Sequence, residues 1–106
     1  MIKKINFKSA KELLDSNPSA LLFDVREEEE FAVKHADGAV PFPVDTIDEA
    51  EARFMIPSKQ TPVTVYCRTG NRSELASKKL DALGYENVFD LGSMVGWPYG
   101  MAYGTI

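Results

Sequence analysis

The chain has 106 residues, 44% of them hydrophobic and 26% charged, with a formal net charge of −4 and one cysteine, Cys67. That length supports one core and predicts one domain over residues 1–106. The acidic balance argues against nucleic acid or an anionic membrane as a partner, and a lone cysteine excludes an internal disulfide, a Cys-x-x-Cys pair and a cysteine-rich zinc site.

Residues 1–14 hold four lysines and no apolar run of signal-peptide length. With no stretch near the ~20 apolar residues of a membrane span, the chain reads as cytoplasmic. Residues 2–7 alternate weakly and predict an edge strand. Ser9 then predicts a helix start, with Glu12 completing a capping box, Leu13 and Leu14 facing inward, and Asn17 and Pro18 ending the helix. Residues 20–25 form a near-continuous apolar run, the pattern of a parallel strand covered on both faces. Asp24 and Arg26 fall at its carboxyl end, where open α/β sheets place ligand sites. Glu27, Glu28, Glu29 and Glu30 read as the solvated first turn of a helix, favoured by its macrodipole, with Phe31 as inward anchor. Pro41 and Pro43 limit residues 40–44 to a short edge or extended segment. Asp45 or Thr46 is expected to cap a helix through Phe54, closed by Pro57, with Ile47, Ala50 and Phe54 covering the sheet.

The stretch PVTVYCRTGNRSELASKKLDAL, residues 62–83, organises the rest. Residues 62–66 read as a buried strand, and from Ser73 the apolar positions Ala76, Leu80 and Leu83 recur at helical spacing. Cys67 therefore stands at a strand's carboxyl end. In the connecting loop CRTGNR, Gly70 and Asn71 tolerate positive φ, so successive amides can curl into an anion-binding nest. The helix adds its positive N-terminal end. A lone cysteine is ordinarily an inert small hydrophobe, but a nest, a helix start and the two arginines Arg68 and Arg72 favour the thiolate, the nucleophilic form. Gly84 reads as the residue just past the helix, with Tyr85 making the contact that accompanies such a stop. Val88, Phe89 and Leu91 predict the last strand. Trp97 reads as core packing, and the tail 98–106 has no clear period.

Five segments stand in one order: LLFDVREEEE (21–30), KHADGA (34–39), CRTGNRS (67–73), LGY (83–85) and VFDLGSMVGW (88–97). Together they resemble the rhodanese family, sulfurtransferases that carry sulfur as a cysteine persulfide. The resemblance implies an α/β fold of three layers, a mainly parallel sheet of four or five strands flanked by helices. It implies Cys67 as the catalytic nucleophile, taking sulfur from a small anionic donor such as thiosulfate and passing it to cyanide, a thiol or a protein acceptor. Arg68, Thr69, Gly70, Asn71, Arg72 and Ser73 would bind the donor. Asp24, Arg26 and His35 would give structural support, Asp24 accepting hydrogen bonds and Arg26 pairing with one of the four glutamates. His35 is the only histidine, a side-chain type suited to general base work. It aligns with the family's Gly-His-Ile-Pro-Gly-Ala turn, and sulfur transfer between thiolates needs no base, so it is expected to fix a loop. No metal or organic cofactor is implied. The chain departs from the pattern at Lys34 and Asp37, where that turn has Gly and Pro, and at Ser93, where a second Gly is usual.

Two other functions fit parts of the pattern. A phosphatase or arsenate reductase also needs a cysteine, inward amides and an arginine, but tyrosine phosphatases use Cys-x5-Arg, and Cys67 to Arg72 is Cys-x4-Arg. A shorter loop narrows the cradle toward a single sulfur atom. A rhodanese-fold interaction or sulfur-relay module is the alternative from a different class, though many such modules lack the cysteine retained here.

Overall fold

Residues 1–104 are described by the computed structural model; the final two positions of the predicted tail lie outside the described residues. The elements in chain order are β1 (Ile2–Lys4), α1 (Phe7–Ser16), β2 (Leu21–Asp24), α2 (Glu28–Val33), β3 (His35–Ala36), β4 (Val40–Pro41), α3 (Glu49–Met55), β5 (Val63–Cys67), α4 (Asn71–Ala82), β6 (Val88–Ser93) and β7 (Met101–Ala102). Five strands form one sheet in the order β1-β6-β5-β2-β4, every neighbouring pair parallel. β3 and β7 form a separate antiparallel ladder, so the tail folds back through residue 102.

β5 is central, and all five of its residues are buried. The strand's alternation divides them between two faces. Val63, Val65 and Cys67 pack with Phe23, Val25 and Val88 beneath Ala52, Ile56, Ala76 and Leu80, the layer of α3 and α4. Tyr66 joins Leu22 and Leu91 on the opposite face, under Ala10 of α1, Phe31 of α2 and Trp97. Helices on both faces of a parallel sheet make the molecule α/β, as expected. Each buried aliphatic side chain contributes about 1.5 to 3 kcal/mol by leaving water.

Several helix boundaries differ from the sequence expectation. Asn6 caps α1, its Oδ1 accepting from the Ser9 amide at 2.8 Å, so Ser9 lies inside the first turn. Asp48 caps α3 by accepting from the Glu51 amide at 2.8 Å, while Asp45 and Thr46 belong to a preceding 3-10 turn. This register buries Ala52 and Ile56 completely and turns Ala50 and Phe54 outward, Phe54 to 80% exposure. Ile47 is buried as expected. α4 begins at Asn71, two residues before Ser73, directly after Gly70 at φ +97°. Its far end follows the expected stop: Gly84 has φ +94°, the Tyr85 amide donates to Leu80 at 3.2 Å, and Tyr85 is buried. No helix among the described residues is long and apolar enough to cross a membrane.

Candidate active site

Because the strands are parallel, their carboxyl ends converge on one rim of the sheet. The pairing sets Asp24 of β2 beside Tyr66 and Ser93 of β6 beside Cys67. Cys67 is fully buried, and its Sγ accepts two backbone N–H groups, Gly70 at 2.9 Å and Ser73 at 3.3 Å. The left-handed turn at Gly70 aims the first of these amides inward, and the N-terminal turn of α4 supplies the second. The Ser73 hydroxyl donates to the Gly70 carbonyl at 3.0 Å and ties the loop across its waist. β6 clamps the loop from behind: the Met94 amide donates to the Cys67 carbonyl at 2.9 Å, and the Ser93 hydroxyl donates to the Arg68 carbonyl.

The two loop arginines have different surroundings. Arg72 forms a two-pronged pair with Glu30, Nη1 to Oε1 at 2.6 Å and Nη2 to Oε2 at 3.1 Å. Glu30 also accepts the Glu27 amide at 3.1 Å. The Arg72 hydrogen bond holds the Glu30 carboxyl well below its usual range, at about 2, against the opposing effect of partial burial and with help from the local backbone. The same bond raises Arg72. The glutamate run is therefore more than a solvated turn, since Glu30 braces the cysteine loop. Arg68 is exposed and makes no side-chain hydrogen bond or ion pair among the described residues; Thr69 and Asn71 are exposed as well. Arg68 borders a pocket of about 390 Å³ that Lys34, Met94, Val95, Trp97 and Met101 also line.

Asp24 and Arg26 form a buried group under the rim. Arg26 donates to Asp24 through Nε and Nη2, the latter at 2.7 Å, and its Nη2 also reaches the Lys34 carbonyl at 2.6 Å. Its acidic partner is thus Asp24 rather than one of the four glutamates: in the bend after β2 the Arg26 amide also donates to Asp24 Oδ1, at 3.0 Å, and holds the two side chains together. The Tyr66 hydroxyl donates to Asp24 at 2.7 Å and accepts from the Ala36 amide at 3.0 Å. Burial, and then the Asp24 charge, push that phenol far up. His35 is buried, stacks on Phe31 with ring centroids 3.6 Å apart, and sets Nδ1 2.9 Å from the Phe31 carbonyl oxygen. Trp97 packs edge-on against Phe7 and Tyr99.

Glu30, Tyr66 and Ser93 are the residues that sequence reasoning missed. A glutamate in a helix's first turn and a tyrosine before a strand-end cysteine are visible in the sequence, but their partners lie far away along the chain. Among the described residues no three His, Cys, Asp or Glu side chains gather as a metal site would require.

The family model of the rhodanese-like domain matches residues 6–98. The chain belongs to the rhodanese-like domain family. This rhodanese-like domain is 33% identical over 101 residues to the thiosulfate sulfurtransferase GlpE of Tolumonas auensis, covering 94% of this chain and 92% of that protein. It is 37% identical over 101 residues to the tRNA uridine(34) hydroxylase of Protochlamydia amoebophila, covering 90% of this chain but only 31% of the hydroxylase. A crystal structure of the thiosulfate sulfurtransferase from Pseudomonas aeruginosa superposes with a TM-score of 0.86 at 29% identity, covering 96% of this chain and 20% of that one. The chain thus spans about a third or less of several of the proteins it matches.

Proposed function

We propose that this rhodanese-like domain is a sulfurtransferase that takes sulfane sulfur from a donor such as thiosulfate onto Cys67 and passes it to a thiol or cyanide. The observation that carries this reading is the pair of amides, Gly70 and Ser73, directed at Cys67 Sγ. Donors so placed favour negative charge on sulfur, both on the attacking thiolate and on a terminal persulfide sulfur held in the same loop. The Cys67 thiolate attacks the outer sulfur of thiosulfate; the new S–S bond forms as the old one breaks, and sulfite leaves with its electron pair. An acceptor thiolate or cyanide then attacks the terminal sulfur and returns the electron pair to Cys67.

Arg68, without an ion-pair partner among the described residues, is our choice for meeting the anionic donor, whereas Arg72 is committed to Glu30 and braces the loop. Asp24, Tyr66 and His35 support the site from beneath, and Arg26, paired with Asp24, lines the pocket beside Arg68. The six-residue Cys67–Arg72 loop favours a single sulfur over a phosphate. These 106 residues hold no second cysteine to resolve the persulfide, so the acceptor comes from outside them, which fits a reducing compartment such as the cytoplasm. The complete burial of Cys67 favours a second reading, an interaction module without turnover.

Intact mass after thiosulfate treatment separates the two. A carrier gains the mass of one sulfur atom, releases it to cyanide, and loses both properties in Cys67→Ser. A protein that gains no mass, or a Cys67→Ser variant with undiminished turnover, refutes the transfer mechanism.

A further inference from the structure

The proposed chemistry uses the Cys67 loop but leaves unexplained what surrounds it. Six large hydrophobic side chains are exposed among the described residues; one of them, Val95, lines the pocket next to Arg68, and two more, Val33 and Tyr103, adjoin Lys34, which lines the same pocket. Val33 ends α2 immediately before Lys34, and Val95 follows the Met94 that holds the Cys67 carbonyl. Tyr103 follows β7, whose ladder pairs His35 with Ala102; one step further stands Lys34 opposite Tyr103, and the Gly104 amide closes this end on the Ala32 carbonyl at 2.8 Å. Three separate parts of the chain are thus linked through the rim of one pocket, which Val95 lines directly and which Lys34, flanked by Val33 and opposite Tyr103, lines from the other side. Their exposures, 72%, 66% and 74%, mean that each would gain most of its burial from something seated there.

The charges of this rim are positive on a chain that is negative overall. Lys34 and Arg68 are exposed and make no ion pair among the described residues, although the formal net charge is −4. The acidic run Glu27 to Glu29 lies at the opposite end of α2, and Asp37 lies at the other end of the β3–β7 ladder, by Gly100. Thiosulfate and cyanide are too small to cover side chains spread over this rim, so the occupant must extend well beyond the reacting sulfur.

We infer that this rim docks the sulfur acceptor, and that the acceptor is an acidic segment of another protein bearing apolar side chains next to its reactive cysteine. The inference rests on Cys67 being a sulfur carrier. The segment's apolar side chains cover Val33, Val95 and Tyr103, its carboxylates face Lys34 and Arg68, and its thiolate attacks the terminal sulfur on Cys67. The Cys67 S–S bond breaks, its electron pair stays on Cys67, and the segment leaves as the persulfide. Apolar contact at the centre sets affinity, and the rim charges set orientation and encounter rate.

The test loads Cys67 with thiosulfate and follows loss of the added sulfur by intact mass in a single turnover. The acceptors are N-acetylcysteine, a synthetic peptide with leucines and aspartates flanking one cysteine, and two further versions with serine for leucine or asparagine for aspartate. The acidic apolar peptide is expected to discharge the protein roughly tenfold faster than N-acetylcysteine at equal concentration, and both altered peptides to lose most of that advantage. Tyr103→Ser should slow discharge to the peptide while leaving discharge to cyanide unchanged, and Val95→Ser should slow discharge to the peptide more than discharge to cyanide. Lys34→Gln should slow it and weaken its dependence on salt. Equal rates for the peptide and N-acetylcysteine, or peptide rates unmoved by Val95→Ser and Tyr103→Ser, overturn the docking surface while the carrier stands. Failure of Cys67 to load at all overturns the carrier and the docking surface together.

Discussion

Arg68 and Arg72 are four positions apart, chemically identical, and placed in opposite circumstances. Arg72 is held by Glu30 through two hydrogen bonds, whereas the Arg68 guanidinium has no partner among the described residues. Arg68→Ala is therefore expected to raise KM for thiosulfate several-fold with little change in kcat, and to do less with an uncharged sulfur donor; steady-state kinetics with both donors checks this. Arg72→Ala should instead lower kcat, because the loop loses its brace. The Glu30–Arg72 pair also sets an acid limit. With the Glu30 carboxyl depressed from 4.5 to about 2, its contribution to stability is fully present above about pH 5 and is lost as pH falls through the interval between those two values. Both side chains are one-third exposed, so solvent screening reduces that contribution to about 1 kcal/mol. Glu30→Gln should lower stability by that amount at pH 7 and by almost nothing at pH 2, as chemical denaturation at the two pH values would report.

At the scale of elements, the loop between β5 and α4 depends on one backbone conformation. Gly70 sits at φ +97°, and an added Cβ there would meet only the Gly92 Cα at 3.8 Å, an ordinary contact. Gly70→Ala should thus cost about 1 to 2 kcal/mol through backbone strain rather than collision. It should also shorten the lifetime of sulfur on Cys67, because relief of that strain turns the Gly70 amide away. Asp24→Ala should be more damaging, by about 3 to 5 kcal/mol, since it leaves the buried Arg26 without its counter-charge; urea unfolding would measure both variants. These features were legible to different degrees. Cys67, Gly70 and the helix behind them are contiguous, so local spacing revealed the strand, the turn and the direction of the amides. The Glu30–Arg72 and Asp24–Tyr66 contacts each join residues 42 positions apart. They exist only because β2 and β5 pair in parallel, which no local pattern announces. Helix starts were blurred for another reason. Asn6 competes with Ser9, and Asp48 with Asp45, within a few residues, and the choice falls to the register that buries Ala10 in one case and Ala52 in the other.

For the molecule as a whole, we expect the first strand to be among the last secured. β1 has one neighbour, β6, and its pairing of Lys4 with Asp90 closes a separation of 86 residues. Contacts so distant carry the higher closure entropy and are expected to form after the β2–β5–β6 centre. Ile2→Ala, a loss of about 1 kcal/mol at a half-buried site, should therefore speed unfolding while leaving the folding rate almost unchanged, as a stopped-flow chevron would show. A chain made from its N terminus at about 5 to 20 residues per second must then hold β1 unpaired for roughly 4 to 17 seconds before its partner is synthesised. Through that interval a bare strand edge is a template for pairing with any other nascent chain. Lys3 and Lys4, both exposed on β1, keep the waiting edge charged and make like copies repel one another.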